Sequence, residues 1–141
     1  MIKIRVKNSG LVKLRSYKDE DGELYVAEAH KHVPIDIKRV YFINVSSGPN
    51  TLRGRHAHKK FKQIIFCVKG SFVLALDDGK NKQNIAMNKP DVGVILGPML
   101  WHEMNTCSKD CSILVLADKK YDEKDYIRNY DDFLKYIKKH R

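Results

Sequence analysis

The sequence predicts an all-β domain, built as a sandwich or barrel, that ends in an amphipathic α-helix. Most of the chain alternates short runs of β-branched, aromatic and leucine residues with turn-forming residues, a spacing typical of such folds. The C-terminal segment changes to apolar residues at intervals of three and four, which is the helical period. With 141 residues, 43% of them hydrophobic, the chain can bury one core, so residues 1–141 are expected to form a single domain.

The strands are predicted from runs that favour extended backbone and from the turns between them. Residues 11–15 and 24–27 flank an acidic turn at 19–23, which predicts an N-terminal hairpin. Further strands are predicted at 38–45, 61–69, 71–77, 93–96 and 112–117. Glycine, proline, asparagine and aspartate form the predicted turns at 48–50, 77–79, 88–90 and 97–98.

The final predicted element is a helix over about residues 122–139. Its apolar positions recur at helical spacing: Tyr126, Ile127, Tyr130, Phe133, Leu134 and Ile137. Acidic residues begin this segment and basic residues end it, which complements the helix macrodipole. The aromatic stripe is expected to pack on the barrel.

The chain is strongly basic, with 27 Lys+Arg against 17 Asp+Glu and a formal net charge of +10. Such a charge attracts anions, including nucleic acid, anionic lipid and phosphorylated small molecules. The basic residues are scattered, however, and no basic stripe alternates with aromatic residues, so a nucleic-acid partner is not expected. One basic cluster, at residues 53–62, includes two histidines.

Membrane insertion and a disulfide framework are also not expected. The longest apolar runs span five or six residues, whereas a bilayer crossing needs about 20. Cys67, Cys107 and Cys111 cannot all pair and form no CxxC motif. These observations predict a cytoplasmic protein.

Histidines carry the most informative pattern. Residues i and i+2 of a strand project from the same face, so His56 and His58 are expected to point together. An imidazole exchanges a proton near neutral pH, which suits it to acid–base catalysis. His102 lies beside Trp101 in a later segment and is a candidate third histidine of the same pocket.

The spacing around these histidines resembles the two motifs of the cupin superfamily, which are small β-barrels with a ligand pocket. The matching residues are Gly54, His56, His58, Gln63 and Gly70, then Gly93, Pro98, His102 and Asn105. The resemblance implies a cupin-type β-barrel, or jelly roll. Metal-binding cupins usually carry a glutamate where this chain has Gln63, and divalent ions favour an anionic oxygen there. No bound metal is therefore expected.

Longer blocks resemble the nucleotide-sugar 3,4-ketoisomerases, which act on dTDP-4-keto-6-deoxyglucose. The blocks lie at residues 37–43, 53–60, 77–79, 97–104 and 115–128. The resemblance implies that His56 and His58 act on the reacting carbons and oxygens, with His102 in the same pocket. It also implies a homodimer that exchanges N-terminal strands. The product would feed an aminotransferase that makes a 3-amino-3,6-dideoxy sugar for a surface polysaccharide such as an O-antigen.

The expected reaction is an isomerisation by proton transfer. The hydrogen at C3 is α to the C4 ketone, so a base can remove it to give an enediol, and reprotonation at C4 leaves the ketone at C3. No redox cofactor is required. The spacing does not decide which histidine removes the C3 proton, nor whether the product is the galacto or the gluco form.

Three further residues are candidates for substrate binding. Arg53 can grip two oxygens of the diphosphate in a fork. Tyr41 can present its hydroxyl to the sugar or nucleotide, and Gln63 can donate to a sugar oxygen. Arg55 has the same strand parity as Arg53 but occupies a position that is not charged in the family, so no role is assigned to it.

Two other functions fit the same pocket. One is a 3,5-epimerase-like cupin acting on the same substrate, whose chemistry resembles a His-Asp dyad with a tyrosine acid on the opposite face. No such set is recognisable in the sequence. The other is a cupin that binds a sugar nucleotide without turning it over.

Overall fold

A computed structural model describes residues 2–141, which form twelve β-strands, two 3₁₀ turns and one α-helix. The strands are β1 (Ser9–Lys13), β2 (Arg15–Lys18), β3 (Glu23–Val26), β4 (Arg39–Asn44), β5 (Leu52–His58), β6 (Gln63–Lys69), β7 (Phe72–Asp77), β8 (Lys82–Met87), β9 (Val92–Leu96), β10 (Trp101–Asn105), β11 (Ser112–Ala117) and β12 (Tyr126–Ile127). The helix α1 spans Tyr130–His140. No helix within 2–141 is long and apolar enough to cross a bilayer.

Two five-stranded sheets face each other and enclose the main core. One sheet has the order β1-β9-β6-β11-β4 and the other β12-β5-β10-β7-β8, and β2 and β3 form a separate ribbon. All paired strands within these sheets are antiparallel. This mostly β sandwich with a C-terminal helix confirms the predicted cupin-like fold.

The interior changes from polar to apolar along the strands. In β6 the inward positions are Gln63, Ile65 and Cys67, because alternate residues of a strand share a face. Ile65 and Cys67 belong to the buried apolar cluster between the sheets, against which Tyr41 and Ile43 of β4 also pack. The end of the sandwich nearest Gln63 is therefore the polar end.

Each sheet has its outer face covered by a different segment. The N-terminal segment packs Leu14, Val33 and Ile35 against buried residues of the first sheet, including Phe66. The helix packs Phe133 and Ile137 against Ala57, Trp101 and Ile127 on the second sheet. Ala57 and Trp101 thus face the helix while their neighbours in β5 and β10 face the interior.

The predicted N-terminal hairpin is present with different bounds. β2 pairs with β3 through the acidic turn, with Arg15 opposite Val26. Residues 11–13, however, belong to β1, which pairs with β9. The change of partner falls at Leu14, whose N–H donates to the Asp91 carbonyl and whose side chain is buried.

The predicted helix over 122–139 is wrong at its start. Asp122 caps a 3₁₀ turn at Glu123–Asp125, and Tyr126–Ile127 is a strand that pairs with β5. The α-helix begins at Tyr130, because the extended Asn129 caps it through a side-chain bond from the Asp132 N–H. The prediction merged two apolar strand residues with the helical stripe that follows them.

Candidate active site

Three histidines meet at the polar end of the sandwich. His56 and His58 project from β5, and His102 lies opposite His56 on the neighbouring strand β10. The ring centroid of His56 is 5.0 Å from that of His58 and 4.5 Å from that of His102. The structure therefore brings together the three histidines predicted from the sequence.

The surroundings of the cluster keep the imidazoles neutral. His58 and His102 are 1% and 2% exposed, and His56 is half-buried. Burial lowers the pKa of His56 to about 4. Burial, followed by the neighbouring charges of His56 and Arg39, lowers the pKa of His58 to about 3, and burial holds the pKa of His102 well below its ordinary value. At neutral pH each ring therefore has one nitrogen free to accept a proton.

Most nitrogens of the cluster have no protein partner. Both ring nitrogens of His56, Nε2 of His58 and Nδ1 of His102 are buried without a hydrogen-bond partner among residues 2–141. Buried polar atoms are usually hydrogen-bonded, so a concentration of exceptions marks a place built for something other than stability. A ligand with several hydroxyl or keto oxygens could satisfy these atoms.

His58 has one partner, the buried carboxylate of Asp125. Its Nδ1 lies 3.1 Å from Asp125 Oδ2, and Asp125 is 6% exposed. The Lys60 N–H donates to Oδ1 over 2.7 Å and the Phe61 N–H to Oδ2 over 3.3 Å. Burial raises the pKa of Asp125, and these backbone donors oppose that rise. The helix predicted over residues 122–139 puts Asp125 in its first turn, so the sequence alone does not reveal this pair.

A β-bulge brings Arg53 to the same side as His56. The pairing of β5 with β10 shifts register so that Glu103 lies opposite Gly54, and Gly54 and Arg55 both have positive φ, 78° and 58°. The extra residue breaks the strand alternation, so Arg53 and His56 line one cavity. Arg55 lines grooves on the other side of the sheet, which corrects the expectation that Arg53 and Arg55 share a face.

Tyr41 and Gln63 are connected directly. Gln63 is 1% exposed, and its Nε2 donates to the Tyr41 hydroxyl over 3.3 Å. Since that hydroxyl accepts a bond from Gln63, its own proton is available to a ligand in the cavity that Tyr41 lines. Gln63 does not line the cavity, but its side chain also lies near His58 and partly opposes the lowering of the His58 pKa.

The cavity in front of the cluster has a volume of about 610 Å³, and several of its residues were not predicted. The unpredicted side chains are Arg39, Tyr121, Tyr126 and Arg128. Arg39 lies over the rings of Tyr41 and Tyr121, and Tyr126 packs on both His56 and His58 with centroids 5.1 and 4.5 Å apart. Arg128 forms a two-bond ion pair with Glu123 over 2.8 and 2.9 Å.

Some signal for the missed residues was present in the sequence. Residues 121–128 belong to a block that resembles the ketoisomerases, but helical periodicity assigned them to a packing face. Arg39 falls at an inward position of β4, two residues before Tyr41. An inward-facing arginine near a predicted pocket was the available clue.

The histidines could also serve as metal ligands. One ring nitrogen from each lies within 4.8 Å of one from each of the others, and they are the group within residues 2–141 that meets this spacing. Three neutral imidazoles can hold zinc. The nearby Gln63 supplies a neutral amide in place of a carboxylate, and its Nε2 is bonded to Tyr41. The expectation that no metal is bound stays a prediction.

The fold and the site together define a cupin-like protein with a histidine-lined ligand pocket, and comparisons with known proteins narrow this class. A family model described as "FdtA: WxcM-like, C-terminal" matches residues 7–138. The TDP-4-oxo-6-deoxy-alpha-D-glucose-3,4-oxoisomerase of Aneurinibacillus thermoaerophilus is 49% identical over 121 residues, which are 86% of either chain. This chain belongs to the WxcM-like/FdtA family of TDP-sugar 3,4-ketoisomerases and is an isomerase.

Solved structures agree with this assignment. A 3,4-ketoisomerase from Thermoanaerobacterium thermosaccharolyticum, crystallised as a mutant in complex with TDP-4-keto-6-deoxyglucose, superposes with a TM-score of 0.91 at 38% identity, covering 96% of this chain and 97% of that one. The TDP-quinovose 3,4-ketoisomerase of Campylobacter jejuni gives 0.86 at 44% identity, covering 92% and 99%. A 3'-monoepimerase from Streptomyces bikiniensis gives 0.76 at 13% identity, covering 89% and 71%, and shares the fold alone.

Proposed function

We propose that this protein converts dTDP-4-keto-6-deoxyglucose into a dTDP-3-keto-6-deoxyhexose by proton transfer between histidines and the sugar. The observation that carries the proposal is a cluster of three neutral histidines at the end of a cavity that arginines also line. Support for the substrate comes from the relatives, which act on or bind this TDP-sugar.

His56 is the proposed base at the carbon atoms, because it is the histidine of the cluster that lines the cavity. Its neutral imidazole takes the proton from C3, and the C–H electrons form the C3–C4 double bond while the C4 ketone becomes an enolate oxygen. The same imidazolium then returns a proton to C4. A neutral histidine in a water-poor site is suited to this task because it neither starts protonated nor needs a cofactor.

His58 is the proposed relay between the sugar oxygens. The hydroxyl proton must leave O3 as the C3 ketone forms, and O4 must gain one. His58 does not line the cavity, so this role requires the sugar to enter the pocket as far as the unpartnered Nε2 behind His56. There His58 accepts the first proton on Nε2 and delivers it to O4, with Asp125 stabilising the transient imidazolium.

Tyr41 and Arg39 are the proposed donors to the enolate oxygen. The Tyr41 proton is free because its oxygen accepts from Gln63, and Nε of Arg39 is buried without a partner among residues 2–141. Donors held in place before the reaction stabilise developing charge without reorganisation. Were a divalent ion bound, His56, His58 and His102 would hold it, and it would supply a Lewis acid near the keto oxygen.

The diphosphate is proposed to lie against Arg53 with help from Arg128. Both guanidinium groups line the cavity, and Arg53 forms no ion pair within residues 2–141. Glu123 already occupies one edge of Arg128, which fixes the direction of that side chain. A guanidinium recognises two phosphate oxygens at once.

The decisive experiment is NMR of the reaction in deuterated water with purified protein and dTDP-4-keto-6-deoxyglucose. The expected product has its ketone at C3. It carries deuterium at C4 in those turnovers in which the His56 imidazolium exchanges its proton with solvent before it protonates C4. Deuterium at C5 with the ketone still at C4 would instead identify a 3,5-epimerase. Binding without any change of the sugar would identify a sugar-nucleotide sensor.

We also infer the setting of the reaction. A 3-ketone is a substrate for amine condensation, so an aminotransferase that makes a 3-amino-3,6-dideoxy sugar for a surface polysaccharide is the proposed consumer. Three buried free thiols support a cytoplasmic location. A homodimer that exchanges N-terminal strands is the proposed assembly, and its test is the mass of the protein by light scattering.

A further inference from the structure

Asp125 holds His58 from behind, on the side of the ring away from the unpartnered nitrogen. Asp125 is the last residue of the 3₁₀ turn, directly before β12. Its backbone carbonyl accepts from the Lys59 N–H, and its carboxylate accepts from the Lys60 and Phe61 N–H groups. The loop after β5 is thereby tied to the segment that carries Tyr126. The carboxylate is fixed before any ligand binds.

The donors around the carboxylate decide what it can offer to His58. Each oxygen already accepts a backbone N–H, which can only donate. Asp125 is therefore an acceptor toward His58, and the Nδ1 atom 3.1 Å away is the donor. A neutral imidazole that donates from Nδ1 has its lone pair on Nε2, because the bond made by one nitrogen fixes the state of the other.

We propose that Asp125 is a positioning residue that keeps the proton of neutral His58 on Nδ1, so that Nε2 remains an unprotonated acceptor inside the active site. The catalytic consequence rests on the proposed function, in which Nε2 takes the O3 proton and passes it to O4. If the proton sat on Nε2 instead, His58 could not accept from O3. Asp125 would then act on turnover without contacting the sugar.

Asp125→Asn is the informative substitution, because it changes the donor pattern at nearly constant shape. The 2.7 Å bond from Lys60 keeps the amide oxygen at the Oδ1 position, so the amide nitrogen takes the Oδ2 position near His58 and gives up the longer, 3.3 Å bond from the Phe61 N–H. That NH₂ group donates to Nδ1 and moves the ring proton to Nε2. We expect kcat to fall about 100-fold, the scale of one acid–base contribution, with KM changed less than about threefold.

Asp118→Asn is the matched control. Asp118 accepts from the Lys62 N–H over 2.9 Å in the same pair of loops, as Asp125 does from Lys60, but it makes no hydrogen bond to a histidine among residues 2–141. If the loss of kcat came from loosening the loops, both variants would be slowed alike. We expect Asp118→Asn to keep kcat within about threefold of the unsubstituted protein, the same bound that the positioning role sets for KM.

The protonation of His58 can be measured without reference to turnover. In ¹⁵N-labelled full-length protein, two-bond ¹⁵N–¹H correlation spectra separate a protonated from an unprotonated ring nitrogen, with His58 assigned through His58→Gln. We expect the proton on Nδ1 in the unsubstituted protein and on Nε2 in Asp125→Asn. A proton on Nε2 in the unsubstituted protein overturns the proposal even if Asp125→Asn does not fold.

The kinetic and spectroscopic experiments distinguish failure of the positioning role of Asp125 from failure of the proposed function. Unchanged kcat in a folded Asp125→Asn protein, or an equal loss in Asp118→Asn, overturns the positioning role. Absence of ketoisomerase activity from the unsubstituted protein would count against the proposed function, while the position of the His58 proton would still test the assignment to Asp125.

Discussion

The two ends of the sandwich differ in the side chains that fill the space between the sheets: one end is apolar and the other is polar. At one end Cys67, Ile113 and Ile43 occupy neighbouring strands in register and are surrounded by apolar side chains. At the other end Arg39 and Gln63 occupy inward positions of β4 and β6, four residues along the strand from Ile43 and Cys67 and next to the histidine cluster. Alternate residues of each strand face the interior along its whole length, so the same strands supply side chains to the apolar core at one end and to the pocket at the other.

Hydrogen-bond satisfaction separates the two ends. Six buried side-chain atoms in residues 2–141 lack a partner, and five of them belong to Arg39, His56, His58 and His102 at the polar end. Leaving a buried polar atom unbonded costs about 1–3 kcal/mol. The apolar end stabilises the fold, and the polar end gives up stability to hold groups ready for a ligand.

The strongest test of this division is His56→Asn at the polar end. Turnover should fall by about 10³-fold because the proposed base is lost, within the range for acid–base catalysis. The free energy of unfolding should change by less than about 1 kcal/mol, since His56 makes no side-chain hydrogen bond in the described chain. Kinetics with dTDP-4-keto-6-deoxyglucose and urea unfolding measure the two effects.

Ligand binding provides the control for that variant. Calorimetry with TDP should give a Kd within a few-fold of the unsubstituted protein, because the arginines that line the cavity are unchanged. Normal turnover in His56→Asn would show that His56 is not the base. It would also contradict the assignment of catalysis to the polar end of the sandwich.

The complementary test is Ile113→Ala at the apolar end. Ile113 is fully buried in the main core, so the substitution should reduce the free energy of unfolding by about 3 kcal/mol and leave kcat/KM nearly unchanged. Leu114→Ala, one residue along β11 on the half-buried outer face, is the matched control and should cost less. A large loss of activity in folded Ile113→Ala would mean that the two ends are not independent.

Lower pH should weaken the polar end specifically. The pKa of His56 is lowered to about 4 and that of His58 to about 3, whereas both are near 6.5 in an unfolded chain. Between these values the unfolded chain binds protons that the folded protein does not, so stability falls as pH decreases from about 6.5 toward 4. We expect Tm to drop on the order of 10 °C from pH 7 to pH 5.

Calorimetry of the unsubstituted protein and of His56→Asn as a function of pH checks this dependence of Tm. In His56→Asn one of the titrating groups is absent, so its Tm should vary less with pH over the same interval. An equal slope for both proteins would show that the pH dependence arises outside the cluster.

The sequence predicted the parts of the site that depend on local period and missed those that depend on tertiary contacts. Strand alternation was sufficient to place His56 and His58 on one face. The sequence did not predict that Asp125 and Tyr126 belong to the site, because their apolar and acidic neighbours fit a helix. Pairing with β5, a tertiary contact, is what makes the segment at Tyr126 extended. Burial of His102 also depends on the opposite sheet, which no local pattern describes.

The bulge at Gly54 is the feature that sequence periodicity predicted least well, and it yields the last prediction. Gly54 has φ 78°, and an added Cβ would lie 3.1 Å from the His102 carbonyl oxygen. Gly54→Ala should therefore cost about 1–2 kcal/mol of stability and favour a regular strand, in which Arg53 turns away from the cavity. We expect KM for the nucleotide sugar to rise about 10-fold, the equivalent of about 1.4 kcal/mol of lost binding, while kcat changes less. Gly10→Ala in β1, whose added Cβ would make an ordinary 3.4 Å contact with Ile95, should leave both constants unchanged. If Gly54→Ala lowers kcat and leaves KM unchanged, the bulge positions His56 rather than Arg53, and the diphosphate must be bound by the other arginines of the cavity.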